Sequence, residues 1–214
     1  MRPIVVTVGP LVGANAANIV ASTTTPAVGT VLTLTAGAIA KTTPDVPRRV
    51  LVTSTGNDSN TVITIAGTDW NGNTISEAVA GINTTAYTKY DFATVTSATI
   101  TSASGANTVG NITIGTNGVA SSMPVMIDNY TFAPTSIQVA ASGTVSYTVQ
   151  QTLDDVNKVG YVATTWVNHP DANFVANTAT AQGNYAYIPQ FCRVTLNSGS
   201  GTITMTVIQA ASPT

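Results

Sequence analysis

Residues 190–209, QFCRVTLNSGSGTITMTVIQ, decide the fold class because they contain the same alternating pattern twice. In 190–197, Cys192, Val194 and Leu196 alternate with polar side chains, and in 201–209 Ile, Met and Val alternate with Thr. Successive side chains of a β-strand point to opposite faces, so each half predicts a half-buried strand. The short Ser198-Gly199-Ser200 link predicts that the two strands form a β-hairpin.

The same period of two recurs along the rest of the chain, whereas helical periodicity is almost absent. Short alternating β-branched runs are separated by Gly, Asn and Ser turns, which is typical of an all-β protein. The further predicted strands are residues 30–35, 49–54, 61–66, 73–80, 93–101, 111–115, 136–140 and 143–151.

The strand pattern is interrupted near the middle of the chain, at GTNG (115–118) and SSMP (121–124). This predicts an N-terminal β-domain at 1–120, with an extended arm at 1–26, and a C-terminal β-sandwich domain at 121–214. The fold class predicted is thus all-β, with two small antiparallel sandwiches of the Ig-like or jelly-roll kind. GTVSYTV (143–149) resembles GTITMTV (201–207), so both are expected to be central strands, although chance similarity in a Thr- and Val-rich chain explains it equally well.

The composition points to a protein that works through its surface. Only 7% of the 214 residues are charged, against about 25% in ordinary soluble proteins. The exterior must therefore be built from hydroxyl and amide groups, and uncharged strands tend to pair with other chains. A net charge of −2 and one isolated basic pair, Arg48-Arg49, argue against nucleic acid as a partner.

The beginning of the chain resembles a secretory signal, but its apolar region is interrupted by Thr7, Gly9 and Pro10. No apolar run approaches the ~18 residues that a membrane-spanning helix requires. The sequence therefore predicts a protein made in the cytoplasm and without a membrane partner.

The chain contains few residues that could carry out catalysis. His169 is the only histidine, and Cys192, the only cysteine, alternates with core residues, so neither a nucleophile with its base nor a zinc site is expected. Asp154 and Asp155 are adjacent, which favours a solvated turn over an acid pair, and Asp58, Asp69, Glu77 and Asp91 suggest no partner for either. We expect no enzyme activity, no catalytic, cofactor-binding or metal-binding residues, and no cofactor.

Two weaker signals have competing interpretations. The segment TDWNGN (68–73) resembles a calcium loop faintly, but Asn71-Gly72 between two alternating runs favours a hairpin turn. Trp166, Tyr185 and Tyr187 could form a sugar-stacking platform, together with Phe174 and Phe191, although core and subunit packing is favoured. The irregular stretch at 154–183 is expected to cover a neighbouring subunit.

Several segments resemble proteins of tailed-phage virions. They are RRVLVTSTGNDS (48–59), ITIAGTD (63–69), FATVTS (92–97) and GNITIG (110–115), followed by VSYTV (145–149), WVNHP (166–170), GNYA (183–186) and VTLNSGSGTIT (194–204). The resemblance spans roughly residues 48–209. It implies a β-rich accessory component such as a capsid decoration or cement protein, a head-fibre base, or a tail or collar part.

The resemblance and the composition together predict a non-enzymatic virion structural protein, foremost a decoration or cement protein that stabilises the head. The expected partners are the major capsid protein or other virion proteins, and further copies of the chain as a homo-oligomer, with a trimer as one candidate. The alternative is a tail, collar or head-fibre component that binds host-surface carbohydrate.

Overall fold

The computed structural model describes residues 3–11, 13–35, 47–128, 135–159, 164–185 and 187–209. Over these residues the chain is all-β, which confirms the predicted class. The strands are β1 (Ile4–Val8), β2 (Asn15–Thr23), β3 (Arg48–Thr68), β4 (Thr74–Phe92), β5 (Thr94–Ser102), β6 (Ile112–Ser121), β7 (Val125–Met126), β8 (Thr135–Ser142), β9 (Val145–Thr152), β10 (Val167–Asn168), β11 (Ala181–Asn184), β12 (Phe191–Gly199) and β13 (Thr202–Gln209). One helical turn, α1 (Val156–Val159), and a 3-10 turn (Ala172–Phe174) accompany them.

The chain divides into two compact units. The N-terminal unit comprises residues 13–118, and the C-terminal unit combines residues 119–214 with residues 1–12. The sequence placed the division after residue 120 and assigned the first residues to the N-terminal domain as an arm. Instead, β1 pairs antiparallel with β13 over five consecutive residues, from Ile4 opposite Val207 to Val8 opposite Ile203. Val6 and Val8 lie opposite Met205 and Ile203 of β13, so this segment is an additional strand of a sheet in the C-terminal unit.

The N-terminal unit is organised by the long pair of β3 and β4. Arg48–Thr53 pair with the end of β4, and Val62–Thr68 pair with its beginning, with irregular pairing between these two stretches. The later part of β3 also pairs with β5, and β2 pairs with β6. The inward-facing side chains form one apolar core; it contains Ile19, Val50, Val52, Ile63, Ile65, Ile82, Phe92, Ile100, Ile112 and Ile114, all fully buried.

Two predictions for the N-terminal unit were wrong in detail. Residues 49–54 and 61–66 lie in one strand, β3, rather than in two separate strands. The residues between them are accommodated as irregularities within the strand pairing. Residues 30–35 form a single bridge, Val31 to Thr99, instead of a regular strand.

The C-terminal unit contains two antiparallel groups of strands. One is a four-stranded sheet in the order β1-β13-β8-β11. In the other, β9 lies between β10 and β12, and β12 also pairs with β7 and with the last residues of β6. The inner faces carry apolar side chains: Ile137, Val139, Ile203, Met205 and Val207 from the first group, and Tyr147, Val149, Cys192, Val194 and Leu196 from the second.

The predicted C-terminal hairpin is wrong, although both of its strands are present. β12 pairs with β9, whereas β13 pairs with β8 and β1, so the two strands belong to different sheets. The link turns sharply at Gly199, which has a φ of +111°, and at Gly201, where a Cβ would lie 2.2 Å from the Ser142 carbonyl oxygen. Alternation alone does not distinguish a strand's lateral neighbour from a strand in another sheet, and these glycines allow the chain to change sheets.

Candidate functional site

His169 is a buried residue of the C-terminal unit. Its side chain is 3% exposed, and its ring centroid lies 4.7 Å from those of Phe174 and Tyr185. The backbone N–H of Asp171 donates to Nδ1 at 3.0 Å, and Nε2 has no hydrogen-bond partner among the described residues. Burial lowers the pKa of the imidazole, and the nearby Asp171 carboxylate partly opposes this shift. The ring is therefore neutral at pH 7 and packs as a core side chain.

Cys192 lies on the inner face of β12 and is fully buried, as its alternation with core residues predicted. Burial raises the pKa of the thiol to about 12, and the hydroxyl of Tyr185 beside it opposes the shift only weakly. The thiolate is the nucleophilic form of cysteine, so this sulfur is protonated and unreactive at neutral pH.

The three candidate sugar-binding rings do not form a solvent-facing platform. Tyr185 is 6% exposed and packs against His169, whereas Tyr187 is 52% exposed. Trp166 has one ring face covered by the Arg193 guanidinium, 4.2 Å from the ring centroid. Only the Tyr187 ring is largely open, and its hydroxyl accepts a hydrogen bond from Gln151 Nε2 at 2.6 Å.

Arg193 belongs to a polar network on the face of β12 opposite Cys192. Its Nε and Nη2 donate to Gln150 Oε1 at 2.9 and 2.8 Å, and Thr195 Oγ1 donates to the same oxygen at 3.3 Å. Arg193 and Thr195 are 4% and 5% exposed. A guanidinium held by the half-buried amide of Gln150 and by an indole ring is a structural element of this face, and the alternation pattern gave no sign of it.

Asp58 is a buried acid with four hydrogen-bond donors, a role that no local sequence pattern predicted. Its carboxylate is 1% exposed and accepts hydrogen bonds from Ser54 Oγ (2.6 Å), Thr61 Oγ1 (2.9 Å), and the backbone N–H groups of Val109 (2.7 Å) and Gly110 (2.9 Å). Burial raises the pKa of this carboxyl, but the four hydrogen bonds outweigh burial and lower it below 3.8. Asp58 thus joins the irregular part of β3 to the segment before β6.

Four further acids also accept hydrogen bonds from backbone N–H groups. Asp69 accepts from Asn71 N (2.8 Å) and Asn73 N (2.9 Å), which confirms a turn there. Glu77 accepts from Lys89 N and Tyr90 N, Asp154 from Thr165 N, and Asp155 from Asn157 N. Within the described ranges no three His, Cys, Asp or Glu side chains come close enough to hold a metal ion.

The stretch at 154–183 has more regular structure than predicted. It contains α1, β10, the 3-10 turn and the first residues of β11, while residues 160–163 lie outside the described part. Asp171 begins the 3-10 turn by accepting from Asn173 N, and Asn177 pairs with Tyr147 through two backbone hydrogen bonds. These contacts hold residues 171–177 beside β9.

The outer face of the four-stranded sheet is an uncharged surface of the C-terminal unit. None of its four strands contains Asp, Glu, Lys or Arg. Cross-strand neighbours place Val5, Thr206, Gln138 and Gln182 in one row, and Thr7 bonds to Thr204 through their hydroxyls at 3.2 Å. A shallow groove of about 260 Å³ crosses this face and is lined partly by Gln138, Gln182, Thr206 and Ile208. We call this surface the neutral face.

Among the described residues, no helix is long and apolar enough to cross a membrane. Comparisons of the chain with protein-family models, with curated proteins and with solved structures find no match.

Proposed function

We propose that this protein is a non-enzymatic structural component of a tailed-phage virion, namely a decoration or cement protein that stabilises the head through subunit contacts. The proposal rests on the resemblance of residues 48–209 to such proteins and on the neutral face. Its partners are the major capsid protein or a neighbouring virion protein, and other copies of the chain.

The single observation that carries the proposal is the absence of charge from the four strands of the neutral face. Ordinary solvent-facing strands carry charged side chains that keep chains apart. Here the outward side chains are Thr, Ser, Gln, Asn and Ala140, with Val5 and Ile208 exposed by 54% and 46%. Covering such a surface desolvates no charged side chain, and its hydroxyl and amide groups can hydrogen-bond to a partner that covers it.

The buried polar groups support a structural role. Asp58, Asp69 and Arg193 hold backbone or amide groups, His169 is packed between two rings, and Cys192 is protonated. Each is used to fix local structure. We further propose that each unit is a small β-sandwich of the Ig-like or jelly-roll kind and that the assembled form is a closed homo-oligomer, for example a trimer.

Binding to capsids tests the proposal directly. Purified protein is mixed with heads assembled from the major capsid protein of the phage that encodes it, and bound protein is measured by co-sedimentation. Saturable binding at a fixed ratio to capsid subunits, with a higher melting temperature of the heads, is expected. Absence of binding to heads, tails and collars alike would contradict a virion role.

A position in the tail, collar or head fibre is the second candidate, and its carbohydrate-binding version has weaker support. Of the three rings considered for stacking, Tyr185 is buried and Trp166 is covered on one face by Arg193. A glycan array on which the wild-type chain binds, and Tyr187→Ala does not, would favour this candidate over the decoration role.

A further inference from the structure

We propose that β1 is a self-association strand: two copies of the chain pair antiparallel through their β1 edges, which joins the two four-stranded sheets across a twofold axis. This inference deepens the proposed assembly function, and rests on it, by naming one surface through which copies meet; a twofold contact of this kind joins two single copies or two trimers.

β1 is an edge strand with an open side. Within the described residues it pairs only with β13, so the backbone groups on its other side have no strand opposite them. Natural proteins usually protect such an edge with charged side chains, prolines or a bulge. Ile4–Val8 contains none of these, and its five residues pair with β13 in unbroken register.

The inner side of the sheet is also uncovered at this edge. Ile4 lies opposite Val207, which is 1% exposed and belongs to the inner face, yet Ile4 itself is 42% exposed. Val6, opposite the fully buried Met205, is only half-buried. These side chains point towards the core, and no described strand lies beside them beyond the edge. A further strand there would cover them as well as satisfy the backbone.

A second copy fits this edge better than a partner of different chemistry does. An antiparallel pair centred on Val6 sets Val6 opposite Val6 of the second copy, Ile4 opposite Val8, and Val5 opposite Thr7. Each apolar inner side chain then meets another one, and no charges meet because the four strands have none. A strongly charged partner would find no complementary group on the sheet.

The opposite edge of the sheet, formed by β11, has a much smaller surface for pairing with a second copy. β11 has only four residues, Ala-Gln-Gly-Asn, with no apolar side chain larger than alanine. A pair of five-residue strands is small compared with the roughly 1,200 Å² or more of a stable interface. The β1 pair is therefore expected to form reversibly in solution and to be reinforced where many copies are held together.

Disulfide trapping tests the register. Facing residues of antiparallel strands have Cα atoms about 4.5–5.5 Å apart, within the range that a disulfide spans. Val6→Cys is expected to give a covalent dimer under mild oxidation, because the twofold axis brings the two new thiols together. The native Cys192 is fully buried and does not compete. Val31→Cys, 62% exposed in the N-terminal unit, is the matched control.

A second variant tests association without a crosslink. Val5 is 54% exposed, so Val5→Lys should leave the fold intact while placing a charge at the edge; Val31→Lys is its control. Sedimentation velocity should show a dimer for wild type and Val31→Lys, and at least about a tenfold weaker one for Val5→Lys, as expected for a gatekeeper charge. Circular dichroism checks that every variant is folded.

Two results would overturn the inference: oxidation of Val6→Cys no faster than that of Val31→Cys, or equal self-association of Val5→Lys and wild type. Capsid binding of the wild type is measured separately. If the wild type binds capsids but shows neither effect, the assembly function stands and the β1 edge is not its self-association surface. If the wild type pairs through β1 but binds no virion part, the virion function is wrong and the strand pairing is correct.

Discussion

Asp58 shows how a carboxylate without a described basic neighbour is kept ionised inside the N-terminal unit. Four donors surround its two oxygens, two from hydroxyls and two from the backbone N–H groups of Val109 and Gly110. A hydrogen bond to a charged group contributes about 1.5–3 kcal/mol, more than a neutral one. Asp58 is therefore a structural residue, and its contribution to stability depends on its negative charge.

We expect Asp58→Asn to lower the free energy of unfolding of the N-terminal unit by about 2–4 kcal/mol, because an amide nitrogen would face donors. Asp155→Asn is the control, since Asp155 is exposed and the new amide oxygen can still accept from Asn157 N. Urea unfolding followed by tryptophan fluorescence measures both. Equal stability of the two variants would show that the four hydrogen bonds contribute little.

His169 makes the stability of the C-terminal unit depend on pH. Its pKa in the folded protein lies below the value of 6.5 expected when unfolded, because burial disfavours the imidazolium. The neutral imidazole therefore contributes its full share to the free energy of unfolding above pH 6.5. This contribution is lost as the pH falls through 6.5 towards the folded pKa, since the unfolded chain then binds more protons.

Asp58 makes the stability of the N-terminal unit depend on pH in a lower pH range. Its contribution to the free energy of unfolding is complete above pH 3.8 and is lost as the pH falls through its lowered folded pKa.

Between pH 7 and 5 the stability of the C-terminal unit should decrease by up to about 1.4 kcal/mol per pH unit. Trp70→Phe leaves Trp166 as the single fluorescent reporter, and Trp166 lies in the C-terminal unit. In this background His169→Phe should abolish the decrease. A slope that persists in His169→Phe would assign the pH dependence to another group.

At the scale of elements, β3 and the segment before β6 depend on a close approach of two backbones. A Cβ on Gly110 would lie 2.2 Å from Gly56 N and 2.3 Å from Ser54 Oγ, closer than real atoms come. Gly110 N is also one of the donors to Asp58. Glycine at 110 therefore permits both the approach and the hydrogen bond.

We expect Gly110→Ala to destabilise the N-terminal unit by about 1–3 kcal/mol or more, because backbone atoms must move to admit the methyl group. Gly118→Ala is the matched control, since a Cβ there meets nothing within 4 Å. Thermal unfolding measures both variants. A melting temperature for Gly110→Ala as high as that for Gly118→Ala would contradict the tight approach.

Sequence alternation predicted the strands better than their partners. The predicted strands at 93–101, 136–140 and 143–151 overlap β5, β8 and β9 with errors of at most two residues at their first ends for 93–101 and 143–151, because a period of two reports directly which face is buried. It failed for the hairpin at 190–209, since alternation carries no information on which strand lies alongside. It also divided β3 at Gly56–Ser59, where the hydrogen bonds of Asp58 maintain the strand through a turn-like sequence.

The structural site residues were predictable only where the signal was local. The burial of Cys192 followed from its place among alternating core residues, and the turn at Asp69 from Asn71-Gly72. By contrast, the donors of Asp58 come from residues 54, 61, 109 and 110, and the guanidinium of Arg193 meets Gln150 and Trp166. Such contacts depend on tertiary structure, which a single sequence does not encode in any local pattern.

At the scale of the whole molecule, the low content of charged residues is the property that most requires a functional explanation. The four strands of the neutral face have no charged residue, and the open β1 edge exposes Ile4 and Val5 beside it. An isolated chain with such a surface tends to associate. The proposed virion role would account for this property, because neighbouring subunits would cover both the face and the edge.

Cryo-electron microscopy of the intact virion, at a resolution that shows side chains, would locate this chain within the particle. We expect regular density for this chain on the outer capsid lattice, with the neutral face or the β1 edge covered by a neighbouring subunit. Density confined to the portal, collar or tail would contradict the decoration role, and a virion without this chain would contradict the structural assignment altogether.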